Sequence, residues 1–387
     1  MFKFIKWIGI FFLLAGLGFG LFWTYKKAKQ PVQLSLKEKQ QFFLGLAQRI
    51  LVSPQDVASG LESQLAYLKR KPPEKVVLTL PKTKVCYQDL ADTVLSLKLN
   101  LHLLVNDPQS LAEIFDVYRL SAKVLLTGYY EPWLEASKTR DNEYKYPVYK
   151  KPPDLKVAFL ERFHPRFKGM KLYYRIAGDK IVPYYSRKQI DLGALAHKGL
   201  ELAWVKDKIK LFFLHVQGSG RLVFRDGTVK HVLYAGKNGL RYVSLGKVLV
   251  KRGFLSKDQV TMQSIYNFLF THPKLTDQLL WTNPSYVFFR LADQGPFGCT
   301  GQVLTPWLSV ASDNKFVPWG SVLVGEGNLP LGSGDKEFTS LWLVQDTGGA
   351  IKGEHLDLFC GSGKLAEEVA GKLKNQVKVY LLLRKNE

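Results

Sequence analysis

From Val76 onward the apolar content of the chain is broken into short runs: VVLTL, KVLLTGYY, YPVYK, LYYRIA, LFFLHVQ, RLVFR and HVLYAG, with Gly, Pro and Asn frequent between them. Runs of five to eight residues closed by turn formers read as strands, and they follow one another without the regular helical spacers of βαβ units. The pattern therefore predicts a mainly β protein with some helices, built as a barrel or sandwich. Helical spacing is confined to three places. Leu36 to Leu68 has expected starts at Ser35 and at Ser53-Pro54, a second block spans Ser244 to Leu280, and one helix lies near Lys364 to Lys374. KRKPPEK at 69 to 75 is a basic, proline-containing loop, and the strands LWLVQD, HLDLF and VKVYLLLR fill the C-terminal region. With 387 residues and 46% hydrophobic content, the chain can bury one large core or two of medium size.

The N-terminus carries a different signal. Lys3 and Lys6 precede an uncharged stretch from Trp7 to Tyr25, WIGIFFLLAGLGFGLFWTY, and Lys26, Lys27 and Lys29 follow it. As a helix it would span roughly 28 Å. It ends in aromatic residues against lysines and lacks a small-residue cleavage site, so residues 1–29 are expected to form an uncleaved membrane anchor. Lysines on both flanks orient it only weakly. Gly16, Gly18 and Gly20 lie inside this segment, where glycine is common, and are not a nucleotide loop.

Charge and cysteine use limit the chemistry. The chain has 55 Lys and Arg against 33 Asp and Glu, a formal +22, which attracts polyanions and specifies no reaction. The basic residues are spread along the chain and no nucleic-acid-reading motif occurs, so a nucleic-acid-binding membrane protein is disfavoured. Cys86, Cys299 and Cys360 form no CxxC pair and have no zinc spacing; one disulfide is open, and the odd count leaves a thiol over. A phosphate loop is absent, because Gly361-Ser362-Gly363-Lys364 is followed by Leu365 and has no upstream glycine at the required spacing. There is no HExxH, and Gln217-Gly218-Ser219-Gly220 is not a nucleophile elbow.

Three polar clusters remain. In Leu341 to Gly363 a strand ends in Asp346, a Gly348-Gly349 turn follows, and HLDLF carries Asp357. If HLDLF is extended, His355, Asp357 and Phe359 share one face and Leu356 and Leu358 the other. A carboxyl group beside an aromatic ring can remain protonated near neutral pH. Spacing alone favours Asp346 and Asp357 as turn or loop-satisfying residues. Thr127-Gly128-Tyr129-Tyr130-Glu131-Pro132 and Gln217 to Arg221 each follow an apolar run, and their hydroxyls, amides and rings suit sugars, although a pair of ordinary β-turns would look the same.

These clusters occur in the order found in the membrane-bound lytic murein transglycosylase A family, which the chain resembles over about residues 120 to 385. The matching segments are LLTGYYEPWLEAS (125–137), YYSRKQIDLGAL (184–195), LAWVKDKIKLFFLHVQGSGRLVFRDG (202–227), YAGKNGLRYVSLGKVL (234–249) and NPSYVFF (283–289), followed by SVASDNKFVPWGSVL and QDTGGAIKGEHLDLFCGSG. The C-terminal part is similar to the family's 3D domain, whose three aspartates fall on Asp313, Asp346 and Asp357. The resemblance implies a double-psi β-barrel assembled from residues 30–130 and 293–387, with a β-rich domain of residues 131–292 inserted and a glycan groove between them.

By the same resemblance, Asp357 is the catalytic residue, with Asp346 and Asp313 in support. Thr127, Gly128, Tyr129, Tyr130, Gln217, Gly218, Ser219, Gly220, Lys352 and His355 are expected to contact substrate. The implied reaction cleaves the β-1,4 bond between N-acetylmuramic acid and N-acetylglucosamine and closes a 1,6-anhydro ring. No metal and no cofactor is implied. The expected partners are peptidoglycan strands and, through the N-terminal helix, the bacterial membrane, with the catalytic domain in the periplasm. Family members are often lipoproteins, but here the first cysteine is Cys86, so lipid anchoring is unsupported. Two rival readings are a hydrolase pairing Asp357 with Asp346 or Glu131, and a wall-binding module without turnover.

Overall fold

The computed structural model describes residues 30–332 and 334–385. The anchor expected at residues 1–29 lies outside them, and among the described residues no helix is long and apolar enough to cross a membrane.

The N-terminal region folds as its caps direct. Ser35 and Glu38 form a capping box for helix Leu36–Arg49, and Ser53 accepts a hydrogen bond from the Asp56 amide at the head of helix Pro54–Leu68, with Pro54 in its first turn. A further helix, Tyr87–Leu99, was not marked by the sequence pattern. These helices bury Phe43, Leu61 and Val94 against the barrel core. Gly60 allows the close approach, since a Cβ there would lie 2.5 Å from a methyl of Leu308.

That barrel draws one long strand, Phe115–Glu131, from the N-terminal part and five strands from the C-terminal part. Around it the order is Phe115–Glu131, His355–Ser362, Ser309–Ser312, Gly334–Asp346, Val322–Leu331 and Lys374–Arg384, and the last strand pairs back onto the first. Two neighbouring pairs are parallel, Phe115–Glu131 with His355–Ser362 and Ser309–Ser312 with Gly334–Asp346. The expected double-psi barrel is therefore closed by strands remote in sequence, and its core includes Leu126, Val310, Trp342, Leu356, Leu358 and Leu381.

Between the two parts, the chain builds a second six-stranded sheet in the order Val287–Ala292, Val229–Lys237, Ser219–Phe224, Trp133–Ser137, Glu201–Val205 and Tyr146–Tyr149. A bridge between Lys150 and Phe289 brings its two edges together. Helices Leu245–Lys251, Met262–Thr271 and Pro273–Leu280 occupy the block read as helical, and a small antiparallel sheet of Lys156–Phe159, Lys171–Ala177 and Lys180–Pro183 extends from the insert.

Two expectations change. LFFLHVQ, read as a strand, lies in helix Lys208–Gln217, which Asp207 caps through the Ile209 and Lys210 amides. Leu211 to His215 is buried on every side, so the run carries no period that separates strand from helix. The disulfide left open does not form, and all three cysteines are free.

Gly325 pairs with Ser340 across the sheet, and a Cβ at this glycine would fall 2.0 Å from the fully buried ring of Trp342. Gly325→Ala is expected to destabilise the protein by about 1–3 kcal/mol through overpacking, measured as a lower urea midpoint with an unchanged slope.

Candidate active site

The parallel register places Asp357 beside Thr127 and His355 beside Leu125. Strand alternation turns Leu356 and Leu358 into the barrel core, while Asp357 faces outward with Thr127 and Tyr129. Thr127 Oγ1 lies 2.6 Å from Asp357 Oδ1 and 2.9 Å from His355 Nε2. The Tyr129 ring packs on Phe359 at 5.3 Å, and its hydroxyl donates to Asp346 Oδ2 at 2.9 Å.

The three aspartates have different surroundings. Asp357 remains partly exposed at the surface, yet loss of hydration raises its pKa to about 7; the bond from Thr127 opposes that rise and the nearby Asp346 carboxylate adds to it. Burial also lifts Asp346, to about 6, against the pull of hydrogen bonds from the Thr347 amide, Tyr129 and the Cys299 amide. Asp313 goes the other way. The Gly353 amide at 3.0 Å and the Lys315 amide at 3.1 Å hold it below its ordinary range, and by gripping Gly353 it fastens the loop that leads into the Asp357 strand.

Burial lowers the pKa of His355, so its imidazole is neutral at pH 7 and carries one proton. The Ala350 carbonyl accepts a hydrogen bond from the ring, while Nε2 faces Thr127. Donation through the other nitrogen leaves Nε2 as an acceptor, so the single Thr127 proton has two acceptors to choose between.

The remaining expected residues divide by place. Gln217 ends helix Lys208–Gln217 and accepts the Tyr130 amide at 3.1 Å, Gly218 caps the helix with φ of +83°, and Ser219 and Gly220 open the next strand. Gly220 packs where a Cβ would meet the Pro132 carbonyl at 2.8 Å. Gly128 and Tyr130 are not in the Asp357 group: alternation turns them to the other face of the strand, where Gly128 packs on Ala370 and Cys360 and Tyr130 bonds to Glu367. Lys352 is exposed in the loop before His355, and its charge helps to keep Asp313 ionised.

A charge cluster at the junction escaped the sequence reading. Glu131, 1% exposed, accepts from Arg221 at 3.2 Å and lies 3.1 Å from His231 Nδ1. The partners are 90 and 100 positions away in sequence, and no local spacing announces them.

Residues 125–290 match the MltA specific insert domain and residues 308–383 match the 3D domain. The membrane-bound lytic murein transglycosylase A of Vibrio cholerae is 35% identical over 267 residues, 67% of this chain and 65% of that protein, so the chain spans less than two thirds of that relative. A crystal structure of a membrane-bound lytic murein transglycosylase from Agrobacterium tumefaciens superposes with a TM-score of 0.75 at 30% identity, covering 92% of this chain and 98% of the other. The crystal structure of E. coli MltA with bound chitohexaose gives 0.67 at 29% identity, with coverages of 85% and 90%.

The raised Asp357 pKa makes a stability test. A carboxyl that folding shifts upward contributes stability that is full below its unfolded pKa and is lost as pH rises through about 7. Asp357→Asn removes that loss, so at pH 8 the variant should be more stable than the wild type by roughly 1–3 kcal/mol, discounted for partial exposure, with the gain shrinking toward pH 4. Thermal unfolding across that pH range measures it, and a constant difference at every pH would refute the shift.

Proposed function

The chain belongs to the membrane-bound lytic murein transglycosylase A family, and on that premise we propose that it cleaves the β-1,4 link between N-acetylmuramic acid and N-acetylglucosamine in peptidoglycan, leaving a 1,6-anhydromuramic end. The observation that carries this reading is one carboxyl group free to exchange a proton near neutral pH, Asp357, among acids that are otherwise engaged. The chitohexaose held by the E. coli relative supports a β-linked amino-sugar strand as the ligand.

Asp357 first protonates the leaving oxygen. As a carboxylate it then takes the proton from the muramic acid O6, whose attack closes the ring. An intramolecular nucleophile removes the need for the second carboxylate with which glycosidases activate water or attack the sugar. Neither Glu131 nor Asp346 suits that second role. Glu131 is buried against Arg221 and His231, and both oxygens of Asp346 accept hydrogen bonds.

Thr127 serves both halves of the cycle. While Asp357 is protonated, neutral His355 Nε2 is the better acceptor for the threonine proton; once Asp357 ionises, its carboxylate is. Rotation of one hydroxyl thus follows the charge. Tyr129 and the Gln217 to Gly220 turn supply rings and amides for the sugar. The catalytic part acts on the wall side of the cell envelope, with residues 7–25 as the membrane anchor, a placement that rests on their sequence and on the membrane-bound relatives.

Two experiments test these assignments. Full-length protein incubated with purified peptidoglycan should release anhydro-muropeptides, identified by mass spectrometry, and the Asp357→Asn protein should release none; reducing ends would mean a hydrolase, and binding without release a wall-binding module. Thr127→Val deletes the bond that lowers the Asp357 pKa, so the upper pH limit of kcat should move up by roughly one unit while kcat falls about ten- to a hundredfold. A lower rate with an unmoved profile would leave Thr127 a packing residue.

A further inference from the structure

The three-stranded sheet of the insert has two unlike faces. Alternation turns Val157, Tyr173 and Arg175 to one side, where Tyr173 packs on a core cluster of the insert and Arg175 lies over the Tyr185 ring. Leu172 and Ile176 point the other way, and Ile176 pairs directly with Ile181 on the neighbouring strand. Ile176 is 63% exposed and Ile181 65%, and Phe163 and Met170, on the connection from Phe159 to Lys171, are exposed as well. Two adjacent strands and one loop therefore present apolar side chains to solvent on one face, an uncommon arrangement for scattered surface residues.

Charge surrounds this face without neutralising it. Between Lys156 and Pro183 the chain carries seven lysines and arginines against two acids, Glu161 and Asp179. Among the described residues none of those seven forms an ion pair. Instead Arg162 and Lys171 lie over the Phe159 ring and Arg166 over Phe167. Sugar-binding surfaces combine rings with carboxamides and hydroxyls. Here the outward face sets Leu172, Ile176 and Ile181 beside a single ring, the half-buried Tyr174, and most of the polar groups around it are cations.

We propose that this sheet is a docking surface for an anionic phospholipid bilayer, with Phe163, Met170, Ile176 and Ile181 entering the headgroup boundary and Lys156 on the same face, with Arg162, Arg166 and Lys168 on the adjoining loop, meeting lipid phosphates. Apolar insertion together with cationic attraction is the combination that gives interfacial binding its dependence on both lipid composition and salt. Docking of this kind would set the orientation of the insert, and with it the groove, relative to the membrane. It does not depend on the reaction assigned to Asp357.

The test uses the full-length protein with phosphatidylcholine vesicles or mixed phosphatidylcholine and phosphatidylglycerol vesicles, read by amide hydrogen exchange of peptides from 156–183. Exchange in 160–170 and in the 177–180 turn should slow severalfold with the mixed vesicles only, and high salt should reverse it. In Phe163→Ser/Ile176→Ser/Ile181→Ser, which leaves net charge unchanged, that protection should vanish while release of sugars from purified peptidoglycan persists. Protection retained in the triple variant would assign vesicle binding to the general charge and overturn the proposal. So would equal exchange with both vesicle types, or protection by peptidoglycan in place of lipid.

Discussion

The parallel pairing of Phe115–Glu131 with His355–Ser362 is the interaction on which the molecule depends. It joins residues 230 positions apart, so the entire insert forms a loop that must close for the barrel to exist. Closure of so long a loop costs entropy that grows only slowly with length. It is opposed by burial on both sides of the pair: Leu126, Leu356 and Leu358 enter the core together, and strand Lys374–Arg384 seals the other edge of the long strand. The same register sets Thr127 against Asp357. A slip of one residue would turn the acid into the core and a leucine onto the outer face, so barrel stability and the acid's position are one constraint.

Three aspartates of identical intrinsic acidity are separated by their surroundings. Asp313 has two backbone amides and nearby lysines and stays ionised. Asp346 receives a tyrosine hydroxyl and backbone amides, which restrain the effect of its burial. Asp357 has one threonine hydroxyl, shared with a histidine, and a second carboxylate nearby, so its acidity sits closest to neutrality. Burial lifts Asp346 and Asp357 and hardly touches Asp313, and between the two buried acids the one with fewer donors to its charged form has its acidity nearer neutrality.

The sequence made the helix starts at Ser35 and Ser53, the face shared by His355, Asp357 and Phe359, and the order of the three polar clusters legible, because each depends on neighbours within a few positions. Gly128 and Tyr130 were grouped with Thr127 and Tyr129 as one contiguous motif, although period-two alternation separates them once the segment is a strand. Helix Lys208–Gln217 was hidden because burial on all sides removes the polar face that shows a helical period. The Glu131 cluster and the closing of the insert by Lys150 and Phe289 are contacts between distant segments, and no pattern within a single segment encodes them.

How the insert is held in place relative to the acid on the barrel follows from the junction. Thr127 and Glu131 belong to one strand, four residues apart and on the same face. Beyond Glu131 the chain enters the insert at Pro132, whose carbonyl accepts the Arg221 amide at 2.8 Å, while the Arg221 side chain reaches back to Glu131 and Gln217 holds the Tyr130 amide. A buried carboxylate between a guanidinium and an imidazole is costly to separate, because parting leaves a charge without partner or water. The first strand of the insert is therefore fixed to the end of the strand that carries Thr127. The Gln217 to Gly220 turn is thereby placed relative to Asp357 through that short, buried connection and not through a flexible linker.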